Sequence, residues 1–212
     1  TTNLKFTKMQ GAGNDFVLID LRVESAADWG ALSVGMCDRH FGIGADGLIL
    51  VDGGSERGYA MTMYNPDGSD GQMCGNGIRC FARFLQERGE IHGEKVEVQT
   101  GAGQRWIQVV DAADDSYRVK VGMGAPEFDP REIPVTLPGD RVIDHTLTVD
   151  GVDLAITAVS MGNPHAVAFV DDMDSFDLAR IGPMVEHHPA FPERVNFEIC
   201  EVLEPTRLRM RV

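Results

Sequence analysis

Seven residues, CGNGIRC from Cys74 to Cys80, constrain the fold of this chain more than any other stretch. After the GNG turn, apolar residues fall at Ile78, Phe81, Phe84 and Leu85, the spacing of a helix with one buried face. The pattern predicts a helix that opens at this turn and is closed by the Arg88 and Gly89 pair. Around it the chain reads mostly as strands. Residues 4–9 and 16–20 are expected as strands separated by GAGND, 26–37 as a helix, and 47–51 and 60–64 as strands. Three more strands are predicted at 95–100, 104–110 and 117–121, with the glycines of 101–103 forming a hairpin turn rather than a phosphate loop. The Gly- and Pro-rich stretch 122–144 reads as a connection. Beyond it the order begins again, with strands at 145–149, 153–159 and 165–170, a helix near 177–187, and strands at 195–202 and 206–212. The expectation is an α/β (α+β) chain of two domains, 1–122 and 123–212, the second a structural echo of the first without a clear sequence repeat.

The predicted helix start gives Cys74 a chemical reading. Unpaired amides and the dipole at a helix N-terminus stabilise negative charge, so Cys74 is a candidate thiolate. The same amides suit a carboxylate, so one turn can both bind an acid and set a base against it, which points to chemistry on an amino or hydroxy acid. Against this stands the commoner fate of a free cysteine, a small buried side chain. Four asparagines sit in turns beside apolar strands: Asn14 in GAGNDF, Asn65 in YNPDGS, Asn163 in SMGNPH and Asn196 in RVNF. An amide both donates and accepts, so several together suit a zwitterion, whereas any one alone is better explained as a turn or cap residue.

Composition narrows the classes. A chain of 212 residues with 43% hydrophobic content can bury a proper core. A net charge of -14 without a Lys/Arg cluster argues against nucleic acid or an anionic membrane as partner. Four cysteines are too few for a disulfide framework, no CxxC suggests a zinc site, and no run of 18 apolar residues suggests a membrane span. A reducing cytoplasm fits this usage. No GxxxxGK[ST] or GxGxxG opens a helix after a strand, and no lysine stands in a context that suggests a Schiff base, so neither a cofactor nor a metal is expected.

Five segments, GAGNDFVLID, RHFGIGADGLIL, YNPDGSDGQMCGNGIRC, SMGNPHAVAFV and ERVNFEI, occur in this order, and together they closely resemble the diaminopimelate epimerase family over residues 4–212. CGNGIRC beside NPDGS separates it from the related proline racemases. The resemblance implies two similar lobes, each a sheet wrapped around a central helix, with the active site in the cleft between them. It implies a cofactor-independent interconversion of LL- and meso-diaminopimelate, on the route to lysine and peptidoglycan, by two cysteines acting on opposite faces of the α-carbon. A homodimer is also implied. Carried over by position, Cys74 matches one catalytic cysteine and His165 a histidine that tunes the cysteines. Gly75 and Asn76 match the backbone that receives substrate, and Asn14, Asn65, Asn163 and Asn196 match substrate-binding positions. Gly47 stands where some members have glutamine, so a side-chain contact there is not expected.

The family's second cysteine, with a Glu and an Arg before it, would follow RLRMRV, beyond Val212. Cys37, Cys80 and Cys200 fall in a helix end, a helix and an apolar strand, and read as core residues rather than substitutes. The expectation is therefore a piece of a complete epimerase, its second lobe incomplete at the C-terminus. A non-catalytic amino-acid-binding relative and a one-base isomerase of the same fold are the alternatives.

Overall fold

The computed structural model describes residues 3–71, 73–113 and 116–212, and it divides into two compact units, Thr1–Met123 and Gly124–Val212. In the first unit, β1 (Thr7–Gly11) and β2 (Asn14–Asp20) form an antiparallel hairpin. Its two loop residues, Ala12 and Gly13, have φ of 53° and 94°, as a tight two-residue hairpin requires. The separator is thus shorter than the expected GAGND, and β1 lies at 7–11 rather than 4–9. Asn14 becomes the first residue of β2, paired with Gly11.

Helix α1 (Trp29–Cys37) then crosses over, so that β3 (Gly47–Gly54) runs parallel to β2. The helix starts three residues later than expected because Asp28 caps it, accepting from the Ala31 N–H at 2.9 Å. β4 (Gly58–Tyr64) returns antiparallel and pairs with β5 (Asp70–Gly71), a two-residue strand too short to leave a periodic signal. Helix α2 (Gly75–Glu87) follows, then β6 (Val96–Thr100), β7 (Gly103–Ala113) and β8 (Ser116–Gly122). The sheet order is β1-β2-β3-β4-β6-β7-β8, with β5 beside β4. This sheet wraps around α2, which packs against β1, β2, β3, β7 and β8. Ile78, Phe81, Ala82, Phe84 and Leu85 fill the interior.

The second unit begins with residues 124–144, which carry only an isolated bridge between Glu127 and Ser160. They are more than a connection, because Ile133, Val135 and Val142 are buried in the second core. β9 (His145–Val149), β10 (Val152–Ser160), β11 (Pro164–Phe169), α3 (Leu178–Glu186), β12 (Asn196–Glu204) and β13 (Arg207–Arg211) follow. They form a sheet of order β13-β12-β11-β10-β9. β10 and β11 pair antiparallel, α3 crosses over to make β12 parallel to β11, and β13 returns antiparallel. The series β10-β11-α3-β12-β13 therefore repeats β1-β2-α1-β3-β4 in order and in the sense of every pairing. Two strand starts in each series, at β2 and β3 and at β11 and β12, are where candidate residues cluster.

Candidate active site

In the first unit the site is built at the start of α2. Cys74 is its N-cap, extended at φ −135° and ψ 116°, and its Sγ accepts from the Gly77 N–H at 3.3 Å. The Ile78 N–H goes to the Cys74 carbonyl. The helix leaves the N–H groups of Gly75 and Asn76 without intrahelical partners, so this end of the helix is rich in donors. Gly77 is required by packing, because a Cβ there would lie 3.0 Å from Ile49 Cδ1 and 3.4 Å from Cys74 Cβ. Among the described residues nothing lies within 4 Å of a Cβ built on Gly75.

The β1–β2 hairpin closes onto this turn. A Cβ on Gly11 would stand 3.1 Å from the Asn76 carbonyl oxygen, so only glycine lets the strand end approach the helix so closely. The approach joins Asn14 to Asn76, whose Nδ2 donates to Asn14 Oδ1. Asn14 Nδ2 donates in turn to Asp46 Oδ2 at 3.2 Å, and Asn76 Oδ1 accepts from the Arg79 guanidinium. The ends of this chain fix both amide orientations. A carboxylate only accepts and a guanidinium only donates, so neither asparagine can flip without breaking a bond. The hydrogens left over belong to the two Nδ2 groups, and with the helix amides they make the site rich in donors, suited to a carboxylate. Arg39 anchors Asp46 from behind at 2.7 Å.

The four cysteines differ in surroundings. Cys37, Cys80 and Cys200 are buried, and burial pushes each thiol up, Cys80 to about 11. Cys74 is half-buried and open to a ligand.

In the second unit the candidates lie at the starts of β11 and β12. These strands are parallel, with His165 opposite Asn196. His165 Nδ1 lies 2.6 Å from Glu198 Oε1 and Nε2 lies 3.0 Å from Asn163 Oδ1. Both ring nitrogens thus face side-chain partners rather than a backbone carbonyl. Asn196 Nδ2 donates to the Pro164 carbonyl at 3.1 Å, tying the two strand starts together.

Asn65 stands apart from both groups in its bonding. Its N–H and Nδ2 donate to Ser69, at 2.8 and 3.0 Å, and its carbonyl accepts from the buried Ser33 Oγ of α1 at 2.9 Å. Asp46, Arg79 and Glu198 were not among the expected site residues, although all three lie inside the quoted segments. Their signal was an obligate donor or acceptor within a glycine-rich or apolar run. Among the described residues no cluster of three or more His, Cys, Asp or Glu could hold a metal ion.

The arrangement defines a mixed α/β protein of two units. A crystal structure of a probable proline racemase from Agrobacterium radiobacter K84 superposes with a TM-score of 0.70 at 13% identity, covering 98% of this chain and 69% of that one. Sequence gives the finer assignment. The model of the family Diaminopimelate epimerase matches residues 6–128 and 157–212. The diaminopimelate epimerase of Pelotomaculum thermopropionicum is 44% identical over 211 residues, and that of Moorella thermoacetica 45% over 210, each match covering 99% of this chain and 75% of the relative. The chain belongs to the diaminopimelate epimerase family.

Proposed function

We propose that this chain is an isomerase that acts in the cofactor-independent epimerisation of LL-2,6-diaminopimelate to meso-diaminopimelate, with Cys74 as a base. The observation that carries the reading is Cys74 at the N-cap of α2, half-buried, with the Gly77 N–H donating to its sulfur. In this reading the substrate α-carboxylate sits on the N–H groups of Gly75 and Asn76, with Asn14 beside them. Sγ takes the α-proton, and the electron pair left on the α-carbon spreads into that carboxylate, where the donors stabilise it. A proton delivered to the opposite face by a second acid completes inversion, since a single base returning its proton would restore the configuration. Asn65, Asn163 and Asn196 are the further substrate-binding candidates, and His165 a proton-handling one. A cytoplasmic location and a homodimer complete the proposal, in keeping with the family resemblance. Among the described residues no helix is long and apolar enough to cross a membrane.

The test is α-proton exchange in deuterated water with LL- and meso-diaminopimelate. Exchange is expected, and Cys74→Ala should lower it by about 10²-fold or more, the scale of a positioned proton-transfer group. Equal exchange in the variant would remove Cys74 from the chemistry. No exchange in the unsubstituted chain would leave a protein that binds without turnover.

A further inference from the structure

Glu198 is a carboxylate in an apolar strand, 5% exposed, between Phe197 and Ile199 of the second core. Its Oε1 meets His165 Nδ1 at 2.6 Å, while its Oε2 is buried with no hydrogen-bond partner among the described residues. A buried carboxylate with one oxygen unpaired is costly, and His165 is the contact that offsets it. The sheet register makes the meeting possible. His165 lies opposite Asn196, and Glu198, two residues further along β12, projects from the same face.

We propose that Glu198 is the positioning residue for His165, and that it directs proton handling by this ring to Nε2. A carboxylate accepts only, so Nδ1 must carry a hydrogen, and the bond at one ring nitrogen decides the state of the other. Nε2 is then the atom that takes up or releases a proton. Its partner carries both kinds of group: Asn163 Oδ1 lies 3.0 Å from Nε2, and a side-chain amide can accept from an N–H through Oδ1 or, turned over, donate from Nδ2 to a lone pair.

The kinetic consequence rests on the proposed epimerase function, but the tautomer does not, so two readouts separate them. In ¹⁵N spectra of histidine-labelled protein, with His165 assigned by its loss in His165→Gln, Nδ1 should be protonated in the unsubstituted chain. Glu198→Gln, which keeps shape and removes the obligate acceptor, should lose that fixed protonation. The exchange rate at saturating diaminopimelate should fall about 10–100-fold, as when the outer partners of functional histidines are removed, with KM little changed. If Glu198→Gln does not fold, Glu198→Leu suits the apolar surroundings and carries the same kinetic expectation. An unprotonated Nδ1 in the unsubstituted chain overturns the proposal, as does a variant that exchanges like the parent. Absence of exchange in the parent would count against the epimerase reading, and the spectrum would still decide which nitrogen Glu198 holds.

Discussion

At the scale of single residues, two glycines of one turn do opposite work. A methyl group on Gly77 would press on Ile49, which is fully buried and has no room to retreat, and on the Cys74 side chain. Ala is the better helix former by about 1 kcal/mol, yet overpacking of a filled core costs about 1–3 kcal/mol, so the clash prevails. Gly77→Ala should therefore lower stability in urea unfolding and, by displacing the N–H that binds Sγ, lower exchange as well. Gly75→Ala meets nothing and has no positive φ to strain. Its stability should stay within about 0.5 kcal/mol of the parent. Its methyl would stand where the proposed reading seats the substrate carboxylate, so on that reading KM should rise severalfold. A Gly75→Ala protein with unchanged KM would show that substrate does not use this helix end.

At the scale of elements, β2 and β3 are covered on both sides. Phe16, Leu18, Ile49 and Val51 belong to the core around α2, while Val17, Ile19, Leu48 and Leu50 belong to the one under α1. Leu48→Ala and Ile49→Ala should each cost about 2–5 kcal/mol in chemical unfolding. Near-neutral behaviour of either would mean that one face of the strand is wet. This double burial is why FVLI and LILV appear as unbroken apolar runs and were legible as strands. Helix α2 was legible from its spacing, and Cys74 with it as the residue at its start. Much of what was not legible depended on partners distant in sequence. Two local features, the short β5 paired with β4 and the Asp28 cap of α1, left too brief a pattern to read, whereas Ile133, Val135 and Val142 are buried because a second core lies beneath them. The same holds at the site. Asp46, Arg79 and Glu198 acquire meaning only when the hairpin meets α2 and when β11 lies beside β12.

At the scale of the whole molecule, titration sets a window of stability. The Arg39 guanidinium and Lys8 hold the Asp15 carboxyl below its ordinary 3.8, Arg22 does the same for Asp20, and Arg131 brings Asp129 to about 2. Folded values below unfolded ones mean that this stability is present above 3.8 and is lost as pH falls through the depressed values. The alkaline side has the opposite sign. Burial raises Cys80 from 9.0 to about 11 and Tyr117 from 10.0 to about 12. The unfolded chain releases these protons first, so stability is full below 9.0 and declines as pH rises through the folded values. Between these limits, the net charge of -14 weakens as pH approaches the isoelectric point near 4.7, which relieves self-repulsion and places the optimum on the acid half of the plateau. Tyr117→Phe isolates one contribution. The hydroxyl is buried without a partner among the described residues, and Arg83 stacks over the ring at 4.7 Å, a contact that phenylalanine keeps. Removing an unsatisfied buried hydroxyl should stabilise the chain by about 1 kcal/mol at neutral pH and make the melting temperature fall less steeply above pH 10.0. Melting curves of parent and variant that stay parallel through the alkaline limb would show that Tyr117 does not release its proton on unfolding in that range, and that the decline belongs to the buried thiols and to Tyr59, which burial also raises.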